Sequence, residues 1–158
     1  MQAPSPSSPP QRRLALLIDA ENLSGEYAPQ LMKRVQALGQ PIVRRAYGDW
    51  TTPQLNLWKN VLHPLAIRPF QQFHYRRGRN ATDAALIMDA MDLLHQRSVD
   101  GFCLGSSDSD FTGLAARIQE AGLPVYGFGQ RNAARAFVAA CDEFVYLDVA
   151  PESVELHA

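Results

Sequence analysis

The run Leu14-Ala-Leu-Leu-Ile18 is apolar at five consecutive positions and stops abruptly at Asp19. A strand with one wet face alternates apolar and polar residues, so an unbroken run needs cover on both faces, as in a parallel sheet between helices. No apolar stretch approaches the roughly 18 residues that cross a bilayer. The run is therefore read as the first, central strand of a three-layer α/β fold, and no membrane association is expected.

The rest of the chain continues the alternation. The pattern predicts helices over 29–38 (closed by Gly39), from Thr52-Pro53 to about 63, and over 82–96, 111–121 (followed by Gly122) and 133–140. Between them it predicts strands over 41–47, 66–70 (bent or ended by Pro69), 101–104, 123–128 and 144–147. Strands and helices spaced in this way imply crossover units and a mainly parallel central sheet flanked by helices. The first twelve residues hold four prolines and three serines with little to bury, and are expected to be a disordered tail. One domain is expected over 13–148, with 149–158 as a C-terminal tail, since 158 residues at 46% hydrophobic suffice for one core.

In doubly wound sheets ligands bind beyond the carboxyl ends of the strands. Two such ends are acidic here: Asp19-Ala-Glu-Asn22 after the first strand, and Ser106-Ser107-Asp108-Ser-Asp110 after the strand over 101–104. Asp108 and Asp110 could also cap the next helix. Asp19 has no turn glycine to explain it, and Asn22 is placed to hydrogen-bond it or a shared ligand. At about 100° per residue, the helix over 82–96 puts Asp83 on the same face as Leu86, Ile87, Ala90, Met91, Leu93 and Leu94. Asp92 falls on the solvent face and Asp89 at the boundary. The other reading of Asp83 is an N-terminal residue favoured by the helix dipole.

Gathered carboxylates repel one another, and a divalent cation removes that penalty. Oxygen donors without neighbouring His or Cys favour Mg²⁺ or Mn²⁺ over zinc. His63, His74, His95 and His157 show no ligand spacing, and Cys103 and Cys141 are expected to be buried thiols in a cytoplasmic protein. Such an acidic site suits metal-assisted phosphodiester hydrolysis, and no Ser/His or Cys/His pair offers a competing nucleophile.

Three blocks, Leu-Leu-Ile-Asp19-Ala-Glu-Asn22, Asn80-Ala-Thr-Asp83-Ala-Ala-Leu-Ile-Met-Asp89-Ala and Gly105-Ser-Ser-Asp108-Ser-Asp110-Phe111, together resemble the NYN domain family of PIN-like nucleases. The resemblance implies a PIN-like fold and Mg²⁺- or Mn²⁺-dependent cleavage of RNA. Carried over by position, it implies that Asp19, Asp83, Asp108 and Asp110 are catalytic residues that bind metal or position the attacking water, supported by Asn22, Ser107 and Asp89. The block before Asp83, where the family often has a lysine and a glycine, reads Arg79-Asn80-Ala81-Thr82.

The net charge of −1 does not advertise a nucleic-acid partner, so RNA binding would need a local patch. Arg76, Arg77 and Arg79 form one next to the Asp83 helix, and Tyr75, with Tyr47 and Trp50 further away, could stack on unpaired bases. The expected function is a ribonuclease acting on single-stranded or structured RNA; the alternative is a catalytically weak RNA- or protein-binding module. A homodimer is left open. Aspartyl phosphotransfer fits less well, because Asp19-Ala-Glu21 is not Asp-x-Asp, and dinucleotide binding fits less well still, because the first turn is acidic rather than glycine-rich.

Overall fold

A computed structural model of the chain describes residues 11–72 and 81–149, with side chains from residue 84 onward in the second segment. Six parallel strands form one sheet: β1 (Arg13–Asp19), β2 (Gln40–Gly48), β3 (Arg68–Gln71), β4 (Gly101–Gly105), β5 (Val125–Gly129) and β6 (Glu143–Tyr146). They lie in the order β3-β2-β1-β4-β5-β6. Five helices connect them: α1 (Ala28–Leu38), α2 (Asn56–Leu62), α3 (Ala81–Gln96), α4 (Thr112–Glu120) and α5 (Arg135–Ala140). The fold is three-layer α/β, as the sequence predicts.

The continuous apolar character of β1 is explained by its two neighbours in depth. Leu14, Leu16 and Ile18 pack into one core with Leu31, Met32 and Val35 of α1 and Trp58 of α2. Ala15 and Leu17 pack into a second core with Leu86, Ala90 and Leu93 of α3, Leu114 and Ile118 of α4, and Phe137 of α5. Burying a side chain of this size contributes about 1.5–3 kcal/mol, so losing either layer would leave half of β1 without its driving force. The chain adds strands to one side of β1, crosses through α3, and then adds strands to the other side. The switch in direction lies between β1 and β4, which is where such sheets bind ligands.

Element boundaries differ from expectation where the backbone stays committed to the preceding helix. The predicted strand over 66–70 begins only at Arg68, because Ala66 has φ 55 and the N–H groups of Ala66 and Ile67 still bond to His63 and Leu62. Pro69 is accommodated because β3 is an edge strand. Likewise β5 begins at Val125 rather than residue 123, since the Leu123 N–H bonds to Ile118 beyond Gly122, whose φ of 87 ends α4. A short 3-10 turn over Pro53–Leu55 replaces the predicted first turn of one helix, and another over Ser109–Phe111 leads into α4.

Cys103 and Cys141 are free and buried, and burial pushes both thiols up to about 12. Among the described residues no helix is long and apolar enough to cross a membrane.

Candidate active site

Asp19 ends β1 and is fully buried. Its neighbour across the switch point is fixed by the sheet register: Ile18 pairs with Gly105, so the next residue on each strand, Asp19 and Ser106, come abreast. The Ser106 hydroxyl donates to Asp19 Oδ2 at 3.0 Å, and the Asn22 amide donates to the same oxygen at 2.7 Å. The other oxygen, Oδ1, is buried and has no hydrogen-bond partner among the described residues. Burial pushes the Asp19 carboxyl up to about 6; the Asn22 and Ser106 hydrogen bonds and, more weakly, the Glu21 backbone N–H oppose the rise, and the charge of nearby Asp108 adds to it.

Ser106 also accepts the Asp108 N–H at 3.0 Å, tying the loop after β4 to the end of β1. Asp108 in turn accepts the Asp110 N–H at 3.0 Å as the cap of the 3-10 turn. Its carboxylate therefore caps a turn and acts electrostatically on Asp19. Asp110 is exposed at the rim. The Ser107 hydroxyl points elsewhere and accepts the Gln130 N–H at 3.0 Å. Sequence reasoning nominated Ser107 and overlooked Ser106; the signal that identifies Ser106 is strand register, which requires knowing that β4 lies beside β1.

Asp83 lies in the first turn of α3, the end that meets the carboxyl edge of the sheet, and its side chain lies outside the described residues. So do Tyr75, Arg76, Arg77 and Arg79. The helical layout holds for the side chains that are described: Leu86, Ala90 and Leu93 are buried and Asp92 is exposed. Asp89 is half-buried and engaged by β2, accepting the Tyr47 hydroxyl at 2.6 Å and pairing with Arg45 at 3.4 Å. Burial, followed by that hydrogen bond and the charge of Asp89, raises the Tyr47 hydroxyl well above its ordinary pKa. Among the described residues no group of three or more His, Cys, Asp or Glu side chains is gathered to hold a metal ion.

Two concavities bracket the sheet. One of about 300 Å³ opens beside Asn22 and reaches Gln130, Gln54 and Trp58. A larger one of about 530 Å³, next to Arg97, Asp100 and Arg117, lies at the amino ends of β4 and β5, the opposite edge from Asp19. Size alone would favour the second, but the first is the one that adjoins the carboxylates, through Asn22, whose amide donates to Asp19.

No curated protein matches the chain. Among solved structures, it is similar to the crystal structure of a protein of unknown function from Vibrio parahaemolyticus, with a TM-score of 0.72 and 20% identity over 90% of this chain and 96% of the other. That likeness is one of fold. The model of the NYN domain, a PIN-like, nuclease-type fold, matches residues 13–148, and the chain accordingly belongs to the NYN domain family.

Proposed function

We propose that this domain is a metal-dependent ribonuclease that hydrolyses RNA phosphodiester bonds at Asp19, Asp108, Asp110 and Asp83. The observation that carries the reading is the buried Oδ1 of Asp19, a carboxylate oxygen without a partner among the described residues, at the topological switch point. An unsatisfied buried acceptor costs about 1–3 kcal/mol, more when charged, and a hard divalent ion beside it would remove that cost. Asp19 and Asp108 supply oxygen donors of the kind Mg²⁺ or Mn²⁺ prefers, with Asp83 and Asp110 as the further candidates.

A bound Mg²⁺ or Mn²⁺ supplies the charge that activates water and offsets the developing charge on a phosphodiester. The chain's own residues hold the geometry. Asn22 and Ser106 fix Asp19 Oδ2, which leaves Oδ1 as the free ligand atom. Ser106 also orders the Asp108 backbone, so the two carboxylates come from loops locked together. Arg76, Arg77 and Arg79 are proposed to bind phosphates, and Tyr75 to stack on an unpaired base.

The test is cleavage of a labelled RNA with Mg²⁺ or Mn²⁺ by wild type, Asp19→Asn, Asp83→Asn and Asp108→Asn, each shown to be folded. The expected result is metal-dependent cleavage lowered at least about a hundredfold in each variant. Undiminished cleavage in Asp19→Asn and Asp108→Asn would overturn the reading. A binding module of negligible catalysis is the second reading, favoured by the absence of a three-carboxylate cluster among the described residues. RNA retention without cleavage across several metals would select it.

A further inference from the structure

The concavity of about 300 Å³ is bounded by the loop after β1, which carries Asn22, and by Gln130 just after β5, next to the acidic site rather than within it. Asn22 belongs to the loop after β1 and bonds to Asp19. Gln130 follows β5, and its N–H holds Ser107 next to Asp108. The third wall is the segment that opens α2, with Gln54, Leu55, Leu57 and Trp58. A strand of RNA with a phosphate at Asp19 and Asp108 would therefore bring a neighbouring nucleotide to this groove.

The lining chemistry suits a base and not a phosphate. No Lys, Arg or His lines the groove and Glu21 does, so it offers an anionic ligand no cation and one carboxylate. Gln54, Gln130 and Asn22 carry side-chain amides, each with a donor and an acceptor, which match the mixed edge of a nucleobase. Leu57 is 55% exposed, one of three large apolar side chains so placed among the described residues, and it lines this groove. An exposed leucine at the mouth of a polar-walled cleft is a surface for the flat face of a base. Beneath it Trp58 is fully buried and pinned by a 2.7 Å bond from its indole N–H to the Leu23 carbonyl, so the floor is rigid. The volume is at the small end of ligand clefts, enough for one nucleoside.

We infer that this groove is a subsite for one unpaired base of the RNA strand, with Leu57 covering its face and the Gln54 and Gln130 amides reading its edge. The inference rests on the ribonuclease reading for the strand that delivers the base, and it adds a determinant of sequence preference next to the cleavage point. A duplex does not present a base this way, so the substrate is unpaired at that nucleotide.

The test is an abasic scan. A fluorescent RNA pentanucleotide and its five single-abasic versions are titrated in EDTA by anisotropy against wild type, Leu57→Ser and the Gln54→Ala/Gln130→Ala double variant. In wild type, loss of the base at one position, or two adjacent ones, is expected to weaken binding about tenfold. In both variants, with melting temperatures near wild type, that position is expected to lose its effect. A flat scan in wild type, or a positional effect undiminished in both variants, would overturn the inference. Cleavage assays separate the two readings: cleavage with a flat scan retains the nuclease and discards the groove. A positional effect without cleavage in any metal does the reverse.

Discussion

Asp19 has no solvent exposure, and among the described residues its Oδ1 has no hydrogen-bond partner, so its charge is a liability to the metal-free fold. Its carboxyl is raised from 3.8 to about 6, so the group binds a proton more tightly when folded than when unfolded. The stabilising contribution is full below about pH 4, where both states are protonated, and is lost as pH rises through 6. A shift of this size corresponds to about 3 kcal/mol. Urea unfolding in EDTA should show Asp19→Asn gaining stability over wild type between pH 4 and pH 7, by as much as that figure. Parallel pH profiles for the two proteins would show that Asp19 is not the source. Under the ribonuclease reading, adding Mg²⁺ should raise the melting temperature of wild type and leave Asp19→Asn unmoved.

At the scale of elements, β2 and α3 are joined by the Tyr47 hydroxyl bonding to Asp89, with Arg45 alongside. Tyr47→Phe should cost about 1–3 kcal/mol in unfolding free energy, as expected for a hydrogen bond to a charged group. RNA cleavage should be unchanged, because Asp89 serves to join α3 to β2; a large loss of cleavage with little loss of stability would return Asp89 to the site. Packing after β5 is tight: a Cβ on Gly129 would lie 2.7 Å from both the Ser106 carbonyl and the Ser107 hydroxyl. Gly129→Ala should therefore displace the loop carrying Asp108 and destabilise by about 1–3 kcal/mol, measurable by calorimetry.

Much of this was legible in the sequence, for physical reasons that differ from residue to residue. Leu14 to Ile18 declared a doubly covered strand because burial on two faces leaves no polar position, and Asp19 then marked its carboxyl end. Asp92 could be assigned to solvent because a helix of 3.6 residues per turn fixes relative directions. Ser106 was not legible, since its role depends on which strands become neighbours, and Asp89 was ambiguous because its partners Arg45 and Tyr47 come from another element. The turn at Ala66 was missed because a helix closing through a left-handed residue leaves no compositional trace at an alanine.

Over the whole molecule, the sheet separates two apolar cores yet shares every strand except β3 between them. The layers should therefore unfold together. Val35→Ala in one core and Ile118→Ala in the other, both fully buried, should each lower stability by about 1–5 kcal/mol. Tryptophan fluorescence and far-ultraviolet circular dichroism should report coincident transitions in both variants. Separated transitions in either would mean that the layers are independent.

The hydrogen bond from Ser106 to Asp19 also has a meaning in time, because it joins residues 87 positions apart. A ribosome makes β1 early, but the strand that completes its far side comes only after β2, α1, α2, β3 and α3. A half-made chain carries Asp19 without Ser106 or Asp108, so the acidic site is among the last features to be assembled. The nascent polypeptide, still tethered within reach of its own messenger, is without that site until β4 and the loop after it have emerged.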